Sequence, residues 1–296
     1  MFPILIYQMK LLLGIQSFFE RLIQSLMTLL KVVLMSRQMQ LPKAGNKELV
    51  ILGNGPSLQD FLHKHKEFLS GKSTLAVNHF ADTEAYSQVQ PDYYVINVPE
   101  FWTDDVDKDV LERRNKLLKN LVTKTQWDMK LLLGAGAKKS KLWTSITDNN
   151  PHISTYFFNT TPVEGFRSFR HFCYKRNCGM PRPHNVLIPS LMLGINMLYK
   201  KIYISGADHS WMEDLFVADD NTVYLTQRHF YDAQSARPDV MKKTGKGQRK
   251  LHEILHKFML AFKGYWDINA YAKSRGTKIV NITPQSMIDA FKRERI

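Results

Sequence analysis

The stretch LVILGNGPSL, residues 49–58, decides the fold of this chain. Its first four residues form a continuous apolar run, which is typical of a parallel strand buried on both faces. Glycines at 53 and 55 end the run, and a helical pattern begins at Leu58. A strand, a glycine turn and a helix in this order predict the first unit of an α/β nucleotide-binding domain. We expect the turn at residues 53–57 to cradle a phosphate at the start of the helix.

Further short apolar runs follow and alternate with helical stretches. They cover residues 74–77, 93–96, 130–133, 154–158, 201–204 and 278–282. Strands that alternate with helices predict an α/β fold, in which a mostly parallel, Rossmann-like sheet has helices on both faces. The same pattern predicts helices over about 104–122, 185–198 and 249–273, and a final helix that begins at Pro284.

Small polar residues stand directly after several of the predicted strands. We assign a nucleotide-binding role to the residues at these ends, namely Asn54, Gly55, Pro56, Ser57, Asn78, Asn97, Ser205 and Gly206. The carboxyl ends of parallel strands lie at one edge of a sheet, where α/β proteins bind ligands, so we expect one shared cleft. The turn matches neither a dinucleotide fingerprint nor a P-loop. An ordinary strand-to-helix turn and simple Asn caps are the alternatives.

Residues 205–211, Ser-Gly-Ala-Asp-His-Ser-Trp, place several functional groups after one strand. Asp208 could accept hydrogen bonds from sugar hydroxyls, and His209 could act as an acid or a base. Trp211 offers an aromatic surface to a substrate. We therefore name Asp208 and His209 as catalytic candidates. The alternative is a turn with a solvated carboxylate and a histidine bonded to the backbone.

A long insert over about 213–248 is typical of an active-site lid. It contains His229, our candidate for the general base, because an imidazole suits the removal of a proton from a hydroxyl. Arg228 and Tyr231 beside it are candidate substrate contacts. A loop histidine without a catalytic role is the alternative. A basic stretch from Arg167 to His184 could bind a diphosphate or lipid head groups, and a solvated surface explains it equally well.

Residues 1–40 form a different segment, with apolar residues at helical spacing and a wide apolar face. Lys10, Glu20, Arg21 and Lys31 interrupt the apolar run. We expect an amphipathic helix that lies in an anionic membrane interface. Packing on the protein's own core or on a second subunit, as in a homo-oligomer, is the alternative. Residues 41–47 are a predicted linker, and residues 48–296 are the predicted nucleotide-binding and transferase domain.

Composition limits the possible partners. The formal charge of +14 predicts attraction to an acidic surface or to phosphorylated substrates. Nucleic acid is disfavoured, because neither a zinc-finger spacing nor an aromatic RNA-binding motif is present. The two cysteines predict reduced thiols in a cytoplasmic protein. We assign no metal ligand and no cofactor, and we place the chain on the inner face of a cytoplasmic membrane.

Five segments carry a resemblance to a known family. They are LVILGNGPSL (49–58), VNHF (77–80), VINVP (95–99), YKKIYISGAD (199–208) and ITPQSM (282–287). These segments occur in the same order in the bacterial sialyltransferases of glycosyltransferase family 42 and the related DUF115 (MptE-like) proteins, which the chain therefore resembles. The resemblance covers most of residues 48–290. It implies a CMP-linked sugar donor, metal-independent inverting transfer, and nucleotide contacts by Asn54, Gly55, Ser57, Asn78 and Asn97.

Three functions therefore compete. The leading hypothesis is a membrane-associated glycosyltransferase in bacterial surface-polysaccharide or lipopolysaccharide synthesis. Its partners are a nucleotide-sugar donor and a saccharide or lipid-linked saccharide acceptor. The second is an MptE-like pyrophosphokinase that uses ATP and Mg²⁺, with Asp208, Glu213 and Asp214 as carboxylate ligands. The third is a non-catalytic scaffold bound to a membrane.

Overall fold

A computed structural model describes residues 2–44, 47–231, 236–243 and 247–296, and for residues 2–8 it describes the backbone alone. Within these ranges, eight strands form one sheet in which every neighbouring pair is parallel. The strands are β1 (Glu48–Leu52), β2 (Ser73–Val77), β3 (Tyr93–Ile96), β4 (Met129–Gly134), β5 (Ile153–Phe158), β6 (Lys201–Ser205), β10 (Lys278–Asn281) and β11 (Lys292–Arg293). A separate antiparallel sheet contains β7 (Leu215–Val217), β8 (Val223–Leu225) and β9 (Asp239–Val240). The predicted α/β fold is confirmed.

The order of the strands creates a switch point beside β1. Across the sheet the order is β11-β10-β6-β1-β2-β3-β4-β5. The chain therefore builds outward from β1 to β5 and then returns to the other side of β1 with β6. In open α/β sheets a crevice forms at such a reversal, outside the carboxyl ends of the strands.

Helices cover the sheet. They are α1 (Phe2–Met35), α2 (Ser57–Lys64), α3 (Ala85–Val89), α4 (Lys108–Lys124), α5 (Lys141–Thr144), α6 (Ile146–Asn149), α7 (Arg167–Lys175), α8 (Leu187–Asn196) and α9 (Leu251–Ser274). Short 3₁₀ turns occur at Lys66–Leu69, Asn78–Asp82, Pro99–Trp102 and Ala135–Lys139. The start of α9 is capped by the Glu253 carboxylate, which accepts a hydrogen bond from the Lys250 N–H at 2.8 Å.

Two apolar cores lie on opposite faces of the sheet, because successive side chains of a strand alternate between its faces. Leu49 and Ile51 of β1 pack in the core that includes residues of α7, α8 and α9. Val50 and Leu52 pack in the core that includes residues of α2 and α4. All four side chains are fully buried. The continuous apolar run at 49–52 is therefore explained by burial on both faces.

The predicted final helix after Pro284 is wrong. Residues 284–291 form turns and bends, and the chain then ends beside β10 as β11. The Met287 N–H donates to the Asp208 carbonyl at 2.9 Å, and the Ser286 hydroxyl donates to the Ala207 carbonyl at 2.6 Å. These bonds to the loop after β6 replace the bonds that a helix would form within itself.

Helix α1 contacts the body of the protein through small polar side chains. The Ser25 hydroxyl accepts from the Phe166 N–H at 3.0 Å, and the buried Thr28 hydroxyl accepts from the Glu164 N–H at 3.1 Å. Val32 adds an apolar contact. Most large apolar side chains of the helix remain exposed, including Leu12, Phe19, Ile23 and Leu30.

Among the described residues, no helix combines the length and the apolar character needed to cross a membrane. Residues 45 and 46 of the predicted linker, and residues 232–235 and 244–246 of the predicted insert, lie outside the described residues.

Candidate functional site

A large cleft opens at the switch point, with a volume of about 600 Å³. The ends of β1, β2, β3 and β6, the insert and α9 all contribute to its wall. Its polar lining includes Asn54, Asn78, Asn97, Glu100, His184, Asn185, Asp208, Asp214, Arg228, His229 and Lys257. The shared cleft expected from the strand ends is therefore present. Of the residues named from the sequence, Ser57, Ser205 and Tyr231 are not among the described residues that line it.

The glycine turn after β1 does not offer an open phosphate cradle. The Gly53 N–H donates to the Ser205 carbonyl at 2.8 Å, and the Gly55 N–H donates to the Gly206 carbonyl at 2.8 Å. A Cβ on Gly53 or on Gly55 would overlap the loop after β6. The glycines allow two loops to pack closely, and their amides are already used. The predicted presentation of these amides to a phosphate is wrong.

Asp208 occupies the position where the phosphate was expected. Its Oδ1 accepts from the Ser57 N–H at 3.2 Å, and its Oδ2 accepts from the Ser57 hydroxyl at 2.9 Å. The carboxylate therefore lies at the N-terminus of α2, a position that stabilises negative charge. Burial raises the pKa of Asp208, while its two bonds to Ser57 act in the opposite direction. Asp208 lines the cleft, and its side chain also holds two strand ends together.

The asparagines at the strand ends tie neighbouring strands to one another. Asn54 Nδ2 donates to the Val77 carbonyl at 3.1 Å, and the Asn97 N–H donates to Asn78 Oδ1 at 3.5 Å. Asn54 Oδ1 is buried without a hydrogen-bond partner among the described residues. A buried polar atom without a partner is costly, so a ligand donor at this point would be favourable. The three asparagines therefore have a structural role, as bonds between strand ends, and they also line the cleft.

His209 packs against two aromatic side chains at the edge of the cleft. Its Nε2 lies 2.5 Å from the Tyr265 hydroxyl, and its ring lies 4.1 Å from the Trp211 ring. Desolvation by burial lowers the pKa of His209 to about 3. The imidazole is neutral at physiological pH and far from the pKa that suits proton transfer there. A neutral ring with this low pKa disfavours the predicted acid–base role; His209 packs on Trp211, and both residues line the cleft.

The insert covers one side of the cleft and is anchored to the glycine turn. The Phe230 N–H donates to the Asn54 carbonyl at 2.9 Å, and the Phe230 ring packs on Phe80 with centroids 5.7 Å apart. This anchor places His229 in the cleft wall. Tyr231 stacks on His229 with centroids 5.1 Å apart and is not itself one of the described lining residues.

Arg228 beside this anchor also lines the cleft. Its guanidinium forms an ion pair with Asp214 at 2.8 Å, so part of its charge is already compensated. Among the described residues, no group of three His, Cys, Asp or Glu side chains is placed to hold a metal ion. Of the three carboxylates named for a Mg²⁺ site, Asp208 is bonded to Ser57 and Asp214 to Arg228, and Glu213 is not among the described residues that line the cleft.

Two arginines of the basic stretch before α8 form ion pairs within the protein, whereas Arg167, Lys175 and Arg176 are exposed. Arg170 pairs with Asp267 at 2.8 Å, and Arg182 pairs with Glu164 at 2.8 Å. His184, from the same stretch, does reach the cleft.

Lys257, which the sequence reasoning missed, joins His184 there from α9. The sequence feature that could have identified Lys257 is its place in the helical pattern of α9, three residues after buried Ile254 and four before buried Ala261. A lysine on the apolar side of a helix is unusual and calls for an explanation.

Fold and cleft together define a Rossmann-like α/β protein with a cleft at the switch point of its sheet. No family model matches the sequence, and no curated protein matches it. The structure is similar to that of the MAf glycosyltransferase from Magnetospirillum magneticum AMB-1, with a TM-score of 0.46 and 9% sequence identity. The match covers 88% of this chain and 35% of the other. This similarity concerns the path of the chain and assigns no substrate.

Proposed function

We propose that this chain is a glycosyltransferase that binds a nucleotide-activated sugar in the switch-point cleft. The observation that carries the proposal is the meeting of three strand-end asparagines with His229 in one cavity of about 600 Å³. Carboxamides bind the hydroxyls and base edges of a nucleoside, since each offers a donor and an acceptor. The volume is within the usual range for small-molecule sites.

The roles divide between the two walls of the cleft. Asn54, Asn78 and Asn97 bind the nucleoside, Trp211 packs against the sugar, and His229 removes the proton from the acceptor hydroxyl. The insert completes the site, because it carries His229 and rests on Asn54 through Phe230. The sequence resemblance favours a CMP-linked, sialyltransferase-like donor and an acceptor in bacterial surface-polysaccharide or lipopolysaccharide synthesis.

The direct test is incubation of the full chain with a panel of CMP-, UDP-, GDP- and ADP-linked sugars, with and without lipid-linked acceptors. Release of the free nucleotide and transfer of labelled sugar are the measurements. We expect one nucleotide class to bind and to turn over, and the Asn97→Ala variant to weaken binding of that nucleotide. If no donor binds or reacts, the transferase proposal is rejected. ATP-dependent release of AMP in the presence of Mg²⁺ would select the pyrophosphokinase instead.

Helix α1 lies in the interface of an anionic membrane in this proposal. At about 100° per residue, Leu12, Phe19, Ile23 and Leu30 share a face that is opposite to the docking residues Ser25 and Val32. These four side chains are all more than half exposed, at 66%, 55%, 60% and 54%. The helix as a whole carries three basic residues, Lys10, Arg21 and Lys31, and one acidic residue, Glu20, and this net positive charge suits anionic lipid. A membrane-bound transferase would meet a lipid-linked acceptor at this surface.

Flotation with vesicles tests the membrane proposal. We expect binding to vesicles that contain phosphatidylglycerol and weaker binding to phosphatidylcholine alone. The combined variant Leu12→Ser, Phe19→Ser and Ile23→Ser should lose binding, whereas Met259→Ser, an exposed apolar residue on α9, should not. If the wild type does not bind vesicles and the triple variant has a lower oligomeric mass in solution, the face binds a second copy of this chain.

A further inference from the structure

A second set of polar groups lies in the cleft, formed by His184, Asn185 and Lys257. His184 and Asn185 precede α8, and Lys257 projects from α9. Asn54 and Gly55, which were named for the nucleotide, and the catalytic candidate Asp208 line the same cavity from the ends of β1 and β6. The cleft therefore holds a carboxylate at the glycine turn and a cation on α9.

The turn after β1 is a poor place for a phosphate. The amides of Gly53, Gly55 and Ser57 are bonded within the protein, and the Asp208 carboxylate already lies at the N-terminus of α2. A phosphate brought to this point would meet a like charge in a half-buried site, which is unfavourable. An anionic ligand group must bind elsewhere in the cleft.

Within the part of the chain that the structure describes, the ammonium group of Lys257 forms no ion pair. It is half-buried, and burial together with the charge of Arg249 lowers its pKa. Among the described residues, Glu100 is the one acidic group whose charge raises the pKa of Lys257. A partly buried ammonium without an ion pair is costly, so an arriving anion would be bound favourably.

Two neighbouring side chains have unused polar atoms beside this charge. Asn185 Oδ1 accepts from the N–H groups of Leu187 and Ile188 at 3.0 and 3.3 Å, which caps α8. Asn185 Nδ2 and His184 Nε2 are buried and have no hydrogen-bond partner among the described residues. Burial, followed by the charge of Lys257, lowers the pKa of His184 to about 4, so its ring is neutral. The Asn185 Nδ2 group is a donor, and His184 Nε2 is one in the tautomer that carries its proton there, so an oxyanion that reaches them would satisfy both.

We propose that Lys257, with the side-chain donors of His184 and Asn185, binds the phosphate or diphosphate of the nucleotide substrate across the cleft from Asp208. This inference rests on the proposed function, and it gives the nucleotide an orientation. The nucleoside lies at the ends of β1, β2 and β3, and its phosphate points towards α9. The nucleotide product is held by the same charge after transfer.

The test compares three probes by calorimetry: cytidine, CMP and inorganic pyrophosphate. Wild-type protein should bind CMP more tightly than cytidine, bind pyrophosphate, and lose affinity for both anions as salt rises. Lys257→Met should weaken CMP and pyrophosphate binding by about 10- to 100-fold, the usual range for a hydrogen bond to a charged group. Its affinity for cytidine should not change. Lys273→Met is the matched control, since Lys273 is exposed in the last turn of α9.

The outcomes separate this inference from the proposed function. If Lys257→Met binds CMP as the wild type does, the anion site is wrong and the transferase proposal stands. If pyrophosphate binding depends on Lys257 but no sugar nucleotide reacts, the anion site stands and the transferase proposal fails. Should Lys257→Met not fold, Lys257→Arg must retain the anion binding and His184→Gln must weaken it. Wild-type affinity for pyrophosphate that is independent of salt would also overturn the inference.

Discussion

The Asp208 carboxylate binds both the backbone N–H and the hydroxyl of Ser57, at 3.2 and 2.9 Å. The two residues are 151 positions apart in the chain, and they join the loops that follow β6 and β1. These two strands are neighbours at the switch point of the sheet. The bond therefore closes the floor of the cleft, and it places a negative charge where many nucleotide-binding folds bind a phosphate.

Loss of this bond should destabilise the fold. Asp208→Ala leaves the N–H and the hydroxyl of Ser57 without their partner, and such a loss costs ~1–3 kcal/mol. Urea unfolding at neutral pH measures the change. Asp128→Ala is the control, because Asp128 is 97% exposed and its ion pair with His152 is worth little. Equal stability of the two variants would contradict the role assigned to Asp208.

A side chain at Gly55 should be more damaging than one at Gly14. A Cβ at Gly55 would overlap Asp208 Oδ2 and lie 2.7 Å from the Gly206 carbonyl oxygen. Because backbone cannot move away easily, Gly55→Ala should lower the free energy of unfolding by ~1–3 kcal/mol or more. Gly14 in α1 has open space around it, so Gly14→Ala should be neutral or slightly stabilising. Thermal unfolding compares the two, and a tolerated Gly55→Ala would mean that the two loops are not tightly packed.

Replacement of His229 should affect the chemical step more than binding. His229→Gln keeps a polar side chain but removes the base, and a general base contributes ~10²–10⁴-fold to rate. We expect kcat for sugar transfer to fall within that range and the donor KM to change little. His252→Gln, on the exposed side of α9, should keep full activity. Transfer at half the wild-type rate or more by His229→Gln would assign the base to another residue.

The anchor of the insert should control access to the cleft. Phe230→Ala removes the ring that packs on Phe80, and so weakens the contact of the insert with the turn that follows β2. We expect faster hydrogen exchange over residues 223–231 and a higher donor KM, with the unfolding transition of the sheet retained. Phe216→Ala, an exposed residue of the same insert, is the control. Unchanged exchange in Phe230→Ala would show that the insert is held by other contacts.

Acid should destabilise the protein through its neutral histidines. The folded-state pKa of His184 is about 4 and that of His209 about 3, both below the ordinary value of 6.5. The unfolded chain therefore binds protons first as the pH falls, so stability is complete above pH 6.5 and decreases from there through pH 4. Urea unfolding between pH 7.5 and 4.5 should show a shallower decrease for His184→Gln than for the wild type. His63→Gln, an exposed residue on α2, should follow the wild type, and identical slopes for all three would contradict the prediction.

Some features could be predicted because they depend on neighbours in the chain. Each buried strand appears as an apolar run, and the turn at residues 53–57 is recognisable from its glycines. The helix predicted after Pro284 is wrong because neighbouring residues alone do not determine the backbone there. Pro284 is a common first residue of a helix, but here the Ser286 hydroxyl donates to the Ala207 carbonyl and the Met287 N–H donates to the Asp208 carbonyl. A partner so distant in sequence leaves no local pattern.

The sequence by itself determined the α/β class, the edge of the sheet where the cleft forms, and most strand positions, because strand burial and strand ends are local properties. The tertiary structure alone decided how the cleft is charged. It brought Asp208 to the start of α2, used the glycine amides for packing, and placed Lys257 beside His184. Hydrogen bonding and electrostatic interaction depend on distance in space, and for these residues that distance is set by strand order and helix packing.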